Sequence, residues 1–245
     1  MRFVDSHLHL LDAEAGKQVA IAEATQTLLV TCGEDSKTSS LALKHEEEYP
    51  MTVVAFVGVH PSEAVKSTSL EWLEVDLGRA SGIGEIGLDP KYSEKGPGSA
   101  QMEAFLAQLE MARRTRKPVQ VHSREAEREC LDALGGFALG AVLMHWFQGE
   151  EFLQEVIESG YFVSFGPSIL YSKKLQRMAL RSPRGQVLTE TDSPVPFGPL
   201  GGVHGPSLVP SVVFRLSELW GERFEETRAT LASNAMRFLG GSEKG

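Results

Sequence analysis

Two histidines, His7 and His9, lie two positions apart in the run Arg2-Phe3-Val4-Asp5-Ser6-His7-Leu8-His9, which predicts an opening strand. Successive residues of a β-strand point to opposite faces, so two residues that are two positions apart share a face. Imidazole rings that are removed from water each need a polar partner or a metal ion. The spacing of the pair therefore makes a metal site the first hypothesis.

Further metal-binding side chains fall at the ends of other predicted strands. They are Glu85 on the fourth strand, His122 on the fifth, His145 on the sixth and Asp192 on the eighth, and His60 follows the third. Each has an ordinary alternative, because a histidine at a strand end can bond a backbone carbonyl and Asp192 can cap a turn. Together they indicate a ring of metal ligands, since histidines placed at random would fall mostly in helices and loops.

Eight apolar, β-branched runs predict the strands that carry these residues. The predicted strands are Arg2 to Ser6, Thr27 to Cys32, Val53 to Gly58, Gly82 to Glu85, Val119 to His122, Ala141 to His145, Tyr161 to Phe165 and Gln186 to Thr191. Helical patterns lie between them at Ser36 to Tyr49, Leu70 to Ala80, Ala100 to Lys117, Arg124 to Leu134 and Glu150 to Ser159, and two more follow at Val209 to Trp220 and Glu225 to Leu239. His45 lies on the first of these helices beside three glutamates, and we expect it on a solvated surface.

Alternating strands and helices are typical of a parallel sheet that is covered by helices. Eight such units predict an α/β fold, a single (β/α)₈ TIM barrel, with residues 1–245 as one domain. In such barrels the active site lies at the carboxyl ends of the strands. The candidate ligands lie at those ends.

Composition is typical of an ordinary soluble globular protein, with 42% hydrophobic residues and a formal net charge of −9. The negative charge argues against broad, non-specific attraction to nucleic acid, which depends on clustered Lys and Arg. The sequence shows no leader pattern and no apolar stretch that approaches the length of a membrane span. The two cysteines, Cys32 and Cys130, are far apart in the sequence, which suits a reducing compartment. We therefore expect a cytoplasmic protein.

Several short motifs carry a resemblance to a known family. They are Asp5-Ser6-His7-Leu8-His9, Gly58-Val59-His60-Pro61, Gly84-Glu85-Ile86-Gly87-Leu88-Asp89, Pro118-Val119-Gln120-Val121-His122-Ser123-Arg124, His145-Trp146-Phe147-Gln148-Gly149, Glu190-Thr191-Asp192-Ser193-Pro194 and Ser233-Asn234-Ala235. Together they resemble the TatD family of metal-dependent hydrolases, barrel proteins that are known chiefly as deoxyribonucleases. The motifs occur in the family's order and span nearly the whole chain.

The resemblance implies a centre of two divalent metal ions. His7, His9 and Asp192 would hold one ion, His122 and His145 would hold the other, and Glu85 would bridge them. A carboxylate has two oxygens and can neutralise two adjacent cations. Mixed histidine and carboxylate ligands suit zinc, manganese, cobalt, iron or magnesium, so the sequence does not name the metal.

A water shared by two such ions would ionise near neutral pH and attack phosphorus or a carbonyl carbon. Asp192 and Glu85 are the predicted catalytic residues, with Asp192 as the base that takes the proton of the water and passes it to the leaving group. Glu190 lies two residues before Asp192 and could orient a ligating histidine, or could be a buried glutamate that backbone donors satisfy.

Three residues are candidates for substrate binding. Arg124 could grip a phosphate or be an ordinary surface arginine, and His60 could donate to a substrate oxygen. His204 lies in a loop after the last strand, where many relatives have an arginine or glutamate before a proline and an asparagine. This departure bears on the choice of substrate.

Three functions follow from these observations. The first is a deoxyribonuclease that hydrolyses phosphodiesters, with DNA as its partner. The second is a metal-dependent hydrolase of a small ester, amide or lactone, or of an aminoacyl-tRNA ester, which the acidic charge favours. The third is a metal-binding scaffold without catalysis, against which the complete ligand set argues.

Overall fold

The computed structural model describes residues 2–66, 69–93, 98–200 and 205–240. Eight parallel strands follow one another around a nearly closed barrel in the order of the sequence. They are β1 (Phe3–Leu8), β2 (Thr27–Cys32), β3 (Val53–Val57), β4 (Gly82–Gly87), β5 (Val119–His122), β6 (Val142–Met144), β7 (Phe162–Phe165) and β8 (Val187–Thr189). The predicted TIM barrel and the positions of its eight strands are confirmed.

Helices join the strands and cover the outside of the barrel. They are α1 (Asp12–Thr25), α2 (Ser36–Glu48), α3 (Pro61–Ala64), α4 (Glu71–Asp76), α5 (Ser99–Thr115), α6 (Glu127–Leu134), α7 (Leu153–Glu158), α8 (Lys173–Arg181), α9 (Val209–Trp220) and α10 (Phe224–Phe238). The sequence patterns did not single out α1, α3 and α8. In α1 a buried glutamine, Gln18, replaces an apolar residue on the inner face, and α8 is short and rich in lysine and arginine.

The first and last strands meet through hydrogen bonds that involve side chains. Thr189 Oγ1 donates to the carbonyl of Val4 at 2.6 Å. The backbone N–H of Thr191 donates to Asp5 Oδ1 at 2.8 Å, and its hydroxyl donates to Asp5 Oδ2 at 2.6 Å. Asp5 therefore ties the end of the barrel wall to its beginning, two residues before His7 on β1.

An apolar cluster fills the end of the barrel that is remote from the candidate ligands. It joins side chains from β1, β2, β3, β6, β7 and β8. Phe238 of α10 packs on Phe56 and Phe162 with ring centroids 5.8 Å apart in both pairs. The Phe56 ring packs directly against Gly82, where a Cβ would lie only 2.1 Å from the ring. A glycine at this position therefore makes room for the ring. With this end filled, polar side chains are left to line the opposite end.

One expectation about a histidine is wrong. His45 is only 1% exposed and lies on the inner face of α2, three residues after the buried Ala42. The neighbouring glutamates suggested solvent, but the helical spacing places His45 towards the core. Burial lowers the pKa of His45 and favours its neutral form. In the part of the chain that the structure describes, no helix is long and apolar enough to cross a membrane.

Candidate metal centre

Glu85 lies between two pairs of histidine nitrogens. Its Oε2 is 3.5 Å from His7 Nε2 and 3.2 Å from His9 Nε2. Its Oε1 is 2.7 Å from both His122 Nδ1 and His145 Nε2. Each oxygen of one buried carboxylate therefore faces its own pair of imidazoles.

Asp192 completes the first of these pairs. Its Oδ1 lies 3.5 Å from His7 Nε2 and 3.6 Å from His9 Nε2. The backbone N–H of Asp192 donates to the carbonyl of His7 at 3.0 Å, which fixes the residue against β1. Its φ of 51° is in the left-handed region, which aspartate tolerates better than most residues. The six predicted ligands thus lie together in one group, of which His9 and His122 are partly exposed and the other four are buried.

The strands position these ligands with some differences from the prediction. His7 lies within β1 and His9 directly follows it, while Glu85 lies inside β4 instead of ending it. Asp192 lies beyond β8, which ends at Thr189. Gly87 has a φ of 141° and lies where β4 comes close to β5. A Cβ at this position would lie 2.0 Å from the carbonyl oxygen of His122, so the approach requires a glycine.

Two histidines use the ring nitrogen that is remote from Glu85 to donate a hydrogen bond. His7 Nδ1 lies 2.6 Å from Gln120 Oε1, and the Gln120 amide is oriented by its own bond to the carbonyl of Ser6 at 2.9 Å. His9 Nδ1 lies 3.0 Å from the carbonyl of Cys32. Because both partners are acceptors, Nδ1 carries the proton in each ring. The lone pair of each Nε2 therefore faces the two carboxylates.

The other pair has carboxylate partners. His122 Nε2 lies 2.8 Å from Asp89 Oδ2, which leaves its Nδ1 towards Glu85. His145 Nδ1 lies 3.6 Å from Glu190 Oε2, beyond hydrogen-bond distance, and Glu190 Oε2 accepts from Ser164 Oγ at 2.6 Å. A carboxylate partner such as Asp89 fixes the tautomer of a histidine that binds a metal.

The centre requires positive charge. His7 Nε2 is buried and makes no hydrogen bond within the described residues, although two carboxylate oxygens lie 3.5 Å away. Burial opposes charge on His122, yet the carboxylates of Glu85 and Asp89 outweigh it and raise its pKa to about 9. Lone pairs that face carboxylates need a proton or a cation between them, so these residues fit divalent metal ions.

His60 has the opposite tautomer to His7 and His9. Its Nδ1 accepts a hydrogen bond from the backbone N–H of Ser62 at 3.1 Å, so the proton of the neutral ring is on Nε2. His60 Nε2 lies 3.8 Å from Glu85 Oε1. Burial lowers the pKa of His60 to about 4, which keeps the ring neutral. It presents a hydrogen-bond donor to the centre, where the predicted ligands His7, His9 and His122 present lone pairs.

A cavity of about 950 Å³ opens above the centre. His9, His60, Glu85, His122, His145 and Asp192 form part of its lining, and Arg124 and Trp146 lie on its walls. Arg124 Nη2 contacts Asp89 Oδ2 at 2.6 Å, and its side chain is 42% exposed. The predicted substrate residue His204 lies outside the described residues.

The family described as TatD related DNase matches residues 4–240. The chain belongs to this family. A Bacillus subtilis relative, named uncharacterized metal-dependent hydrolase YabD, is 31% identical over 254 residues that cover 96% of this chain and 98% of the relative. The human protein named deoxyribonuclease TATDN3 is 29% identical over 258 residues, covering 96% and 94%.

Solved structures show the same TatD fold. The crystal structure of YjjV, a TatD homologue from Escherichia coli, has a TM-score of 0.87 at 24% identity and covers 98% of this chain and 99% of its own. A TatD family hydrolase from Entamoeba histolytica has a TM-score of 0.81 at 17% identity, with 97% and 98% covered. The chain is a metal-dependent hydrolase with a TatD barrel.

Sequence reasoning about this TatD chain missed three polar residues of the site. Asp89 and Gln120 orient His122 and His7, and Glu34 lies in a group with His9 and Glu85 whose candidate ligand atoms are within 4.8 Å of one another. Gln120 and His122 are two residues apart on one strand, which was an available signal for a shared face. Asp89 ends a quoted motif, but its contact with a residue of the next strand is visible only in three dimensions.

Proposed function

We propose that this protein is a binuclear metal-dependent phosphodiesterase that cleaves DNA. The observation that carries the proposal is Glu85, whose two oxygens face separate pairs of ring nitrogens. A bridging carboxylate of this kind suits two adjacent cations. The choice of DNA is supported by the family description and by the name of the human relative.

His7, His9 and Asp192 would hold one ion and His122 and His145 the other, with Glu85 between them. When bound, two divalent ions supply an acidified water and an electrophile for the phosphoryl oxygens. Histidine and carboxylate ligands together suit zinc or manganese, and magnesium when more of the ligands are oxygens.

Asp192 would act as the general base. Burial opposes ionisation of its carboxyl group, but the hydrogen bond and charge of His7 and its neighbours lower the pKa of Asp192 below its usual value. It is therefore ionised at neutral pH and can take a proton from water. It can then return that proton to the leaving oxygen of the sugar.

His60 and Arg124 would bind the substrate. The Nε2–H of His60 points to the centre and can donate to a non-bridging oxygen of the phosphate. Arg124 has five N–H donors in a planar fork, and the contact of Nη2 with Asp89 holds that fork at the cavity wall. His204 stays a prediction.

The decisive experiment compares the wild type with Glu85→Ala and with the control Glu158→Ala, which removes an exposed carboxylate that does not line the cavity. Metal content is measured by elemental analysis, and cleavage of single-stranded DNA is assayed with Mg²⁺ or Mn²⁺. We expect about two ions per chain in the wild type and the control. Glu85→Ala should lose metal, and its cleavage should fall to background.

Retention of two ions by Glu85→Ala would contradict the bridging role. A wild type that takes up no metal under any loading condition would contradict the metal centre itself. Nuclease contamination is controlled by purifying Asp192→Asn in parallel, which should bind at least one ion and yet show no cleavage.

A second function is supported by the charge of the cavity. Four wall glutamates, Glu34, Glu125, Glu127 and Glu151, face two cations, Arg124 and Lys174. An acidic wall disfavours a polyanion, so a small ester, amide or lactone, or an aminoacyl-tRNA ester, is the alternative substrate class. Loaded protein that hydrolyses a panel of such esters but leaves DNA intact would establish it. A scaffold without catalysis would bind metal and hydrolyse neither.

The predicted cytoplasmic location belongs to the same proposal. Cys32 and Cys130 are both buried free thiols, which suits a reducing compartment. The single domain over residues 1–245 also stays a prediction, and limited proteolysis that yields no stable fragment would support it.

A further inference from the structure

A small side pocket adjoins the main cavity. Its volume is about 120 Å³, close to the 150 Å³ of an engineered cavity that binds benzene. Trp146, Asp192 and Val195 line both the pocket and the main cavity. The pocket therefore has room for one aromatic ring, directly beside the proposed general base.

Aromatic side chains dominate the pocket wall. They are Trp146, Phe147, Phe165, Tyr171 and Phe197. The rings of Tyr171 and Phe197 contact each other with centroids 5.8 Å apart, and Tyr171 is 54% exposed. A wall of this kind suits a flat, weakly polar group that can stack on its rings.

The backbone of Trp146 is fixed where the two cavities meet. It directly follows the ligand His145, and its φ of 40° is in the left-handed region, which is unusual for a bulky residue. Its N–H donates to Glu190 Oε1 at 2.9 Å, and Glu190 is itself held by Ser164. The backbone of Trp146 is thus held by the same carboxylate that lies near His145.

The charge of the pocket excludes a phosphate. Glu190 and Asp192 line it, and none of its described lining residues is a lysine or an arginine. A phosphate would meet two carboxylates there without a compensating cation. A neutral ring avoids this repulsion, so the pocket and the metal centre suit different parts of one substrate.

We infer that the pocket binds the nucleobase of the nucleotide whose phosphate lies at the metal centre, with Trp146 as its stacking surface. The inference rests on the proposed phosphodiesterase function and adds a recognition subsite to it. Stacking of one base on an aromatic side chain changes affinity by about tenfold. The enzyme should therefore distinguish a nucleotide from the corresponding sugar phosphate.

The test measures binding without turnover. dCMP and 2-deoxyribose 5-phosphate share the sugar and the phosphate, and the second has a hydroxyl where dCMP has the base. Each is titrated calorimetrically into Mn²⁺-loaded protein. We expect dCMP to bind the wild type about tenfold more tightly. Trp146→Ala should abolish that ratio, whereas the control Phe214→Ala should keep it, because Phe214 is exposed and lines neither cavity.

A fluorescence measurement covers the case in which Trp146→Ala does not fold. The chain has three tryptophans, and a Trp72→Phe, Trp220→Phe double variant leaves Trp146 as the sole emitter. Its emission should be quenched by dCMP and unchanged by 2-deoxyribose 5-phosphate. A cleavage assay adds a comparison between intact oligonucleotides and ones with an abasic site beside the cleaved bond.

The outcomes separate the two proposals. Equal binding of both compounds to the wild type, with unchanged Trp146 emission, would overturn the base subsite and leave the phosphodiesterase intact. Binding of neither compound would overturn both. If the wild type hydrolyses methyl hexanoate, and Trp146→Ala abolishes this hydrolysis while Phe214→Ala does not, the pocket binds an acyl chain. That result would contradict the inference.

Discussion

At the scale of single residues, the centre depends on side chains that never contact the reacting atoms. Asp89 is the clearest case, because it accepts from His122 Nε2 and pairs with Arg124. It thereby determines which nitrogen of His122 faces Glu85. A carboxylate in this position also makes the imidazole a stronger ligand.

Asp89→Asn should weaken metal binding while the fold is kept. The amide can still accept from the backbone N–H of Lys91, as Asp89 Oδ1 does at 2.9 Å. It cannot provide acceptors for both His122 and Arg124, so we expect a 10–100-fold loss of affinity for about one of the two ions. Calorimetric titration of the variant and the wild type with Zn²⁺ measures this loss of affinity.

The control for this prediction is Asp132→Asn, which removes an exposed carboxylate of α6 that pairs with Arg128. It should bind both ions as the wild type does. An equal loss from both sites in Asp89→Asn, or no loss at all, would contradict the assigned role.

At the scale of elements, the sequence was most informative where periodicity decides the structure. The strand alternation that places His7 and His9 on one face is local, and the apolar runs locate all eight strands. Contacts between residues on opposite sides of the barrel could not be predicted from the periodicity of the sequence. The pairing of His7 with Gln120 joins β1 to β5, and the tautomer that it selects is a property of the folded barrel.

The closure between β1 and β8 shows the same limit. Asp5 lies in a quoted motif, yet its role as the acceptor for Thr191 depends on the two ends of the sheet meeting. Helix α1 was missed for a related reason, since Gln18 is buried on its inner face and breaks the apolar pattern. Local propensity does not record which polar residues the tertiary structure will bury.

The buried Asp5 predicts a pH dependence of stability. Burial raises its pKa from 3.8 to about 7, against the opposing hydrogen bonds from Thr191. The folded state therefore holds its proton more tightly than the unfolded state. The contribution of this protonated carboxyl group to the stability of the folded state is complete below about pH 4. It is lost as the pH rises towards 7.

Asp5→Asn keeps an acceptor for the Thr191 N–H but does not titrate. Its free energy of unfolding should therefore rise relative to the wild type by on the order of 2 kcal/mol between pH 5 and pH 8. Urea denaturation of chelator-treated protein at both pH values measures the difference. A constant difference across this range would show that Asp5 is already ionised in the folded state.

At the scale of the whole molecule, the charge distribution bears on which DNA can reach the centre. The chain has a formal net charge of −9, and exposed glutamates such as Glu151 line the cavity wall. Nucleases that attract DNA through clustered Lys and Arg lose affinity steeply as salt rises. The cavity of this molecule has four wall glutamates beside its two cations, Arg124 and Lys174. Under the proposed function, we therefore expect short or terminal segments to be better substrates than long strands.

Charge reversal at the cavity wall should therefore relax this restriction. Glu151→Lys places a cation beside the path of the strand, and kcat/KM for a 20-nucleotide single strand should rise about threefold to tenfold at low salt. The gain should disappear as salt rises, because screening removes it, and kcat/KM for a dinucleotide should change little. Glu158→Lys is the matched control: it makes the same change in net charge at the other end of α7 and does not line the cavity. If both variants gain equally, net charge alone governs access; if neither gains, the acidic wall does not limit the length of the substrate.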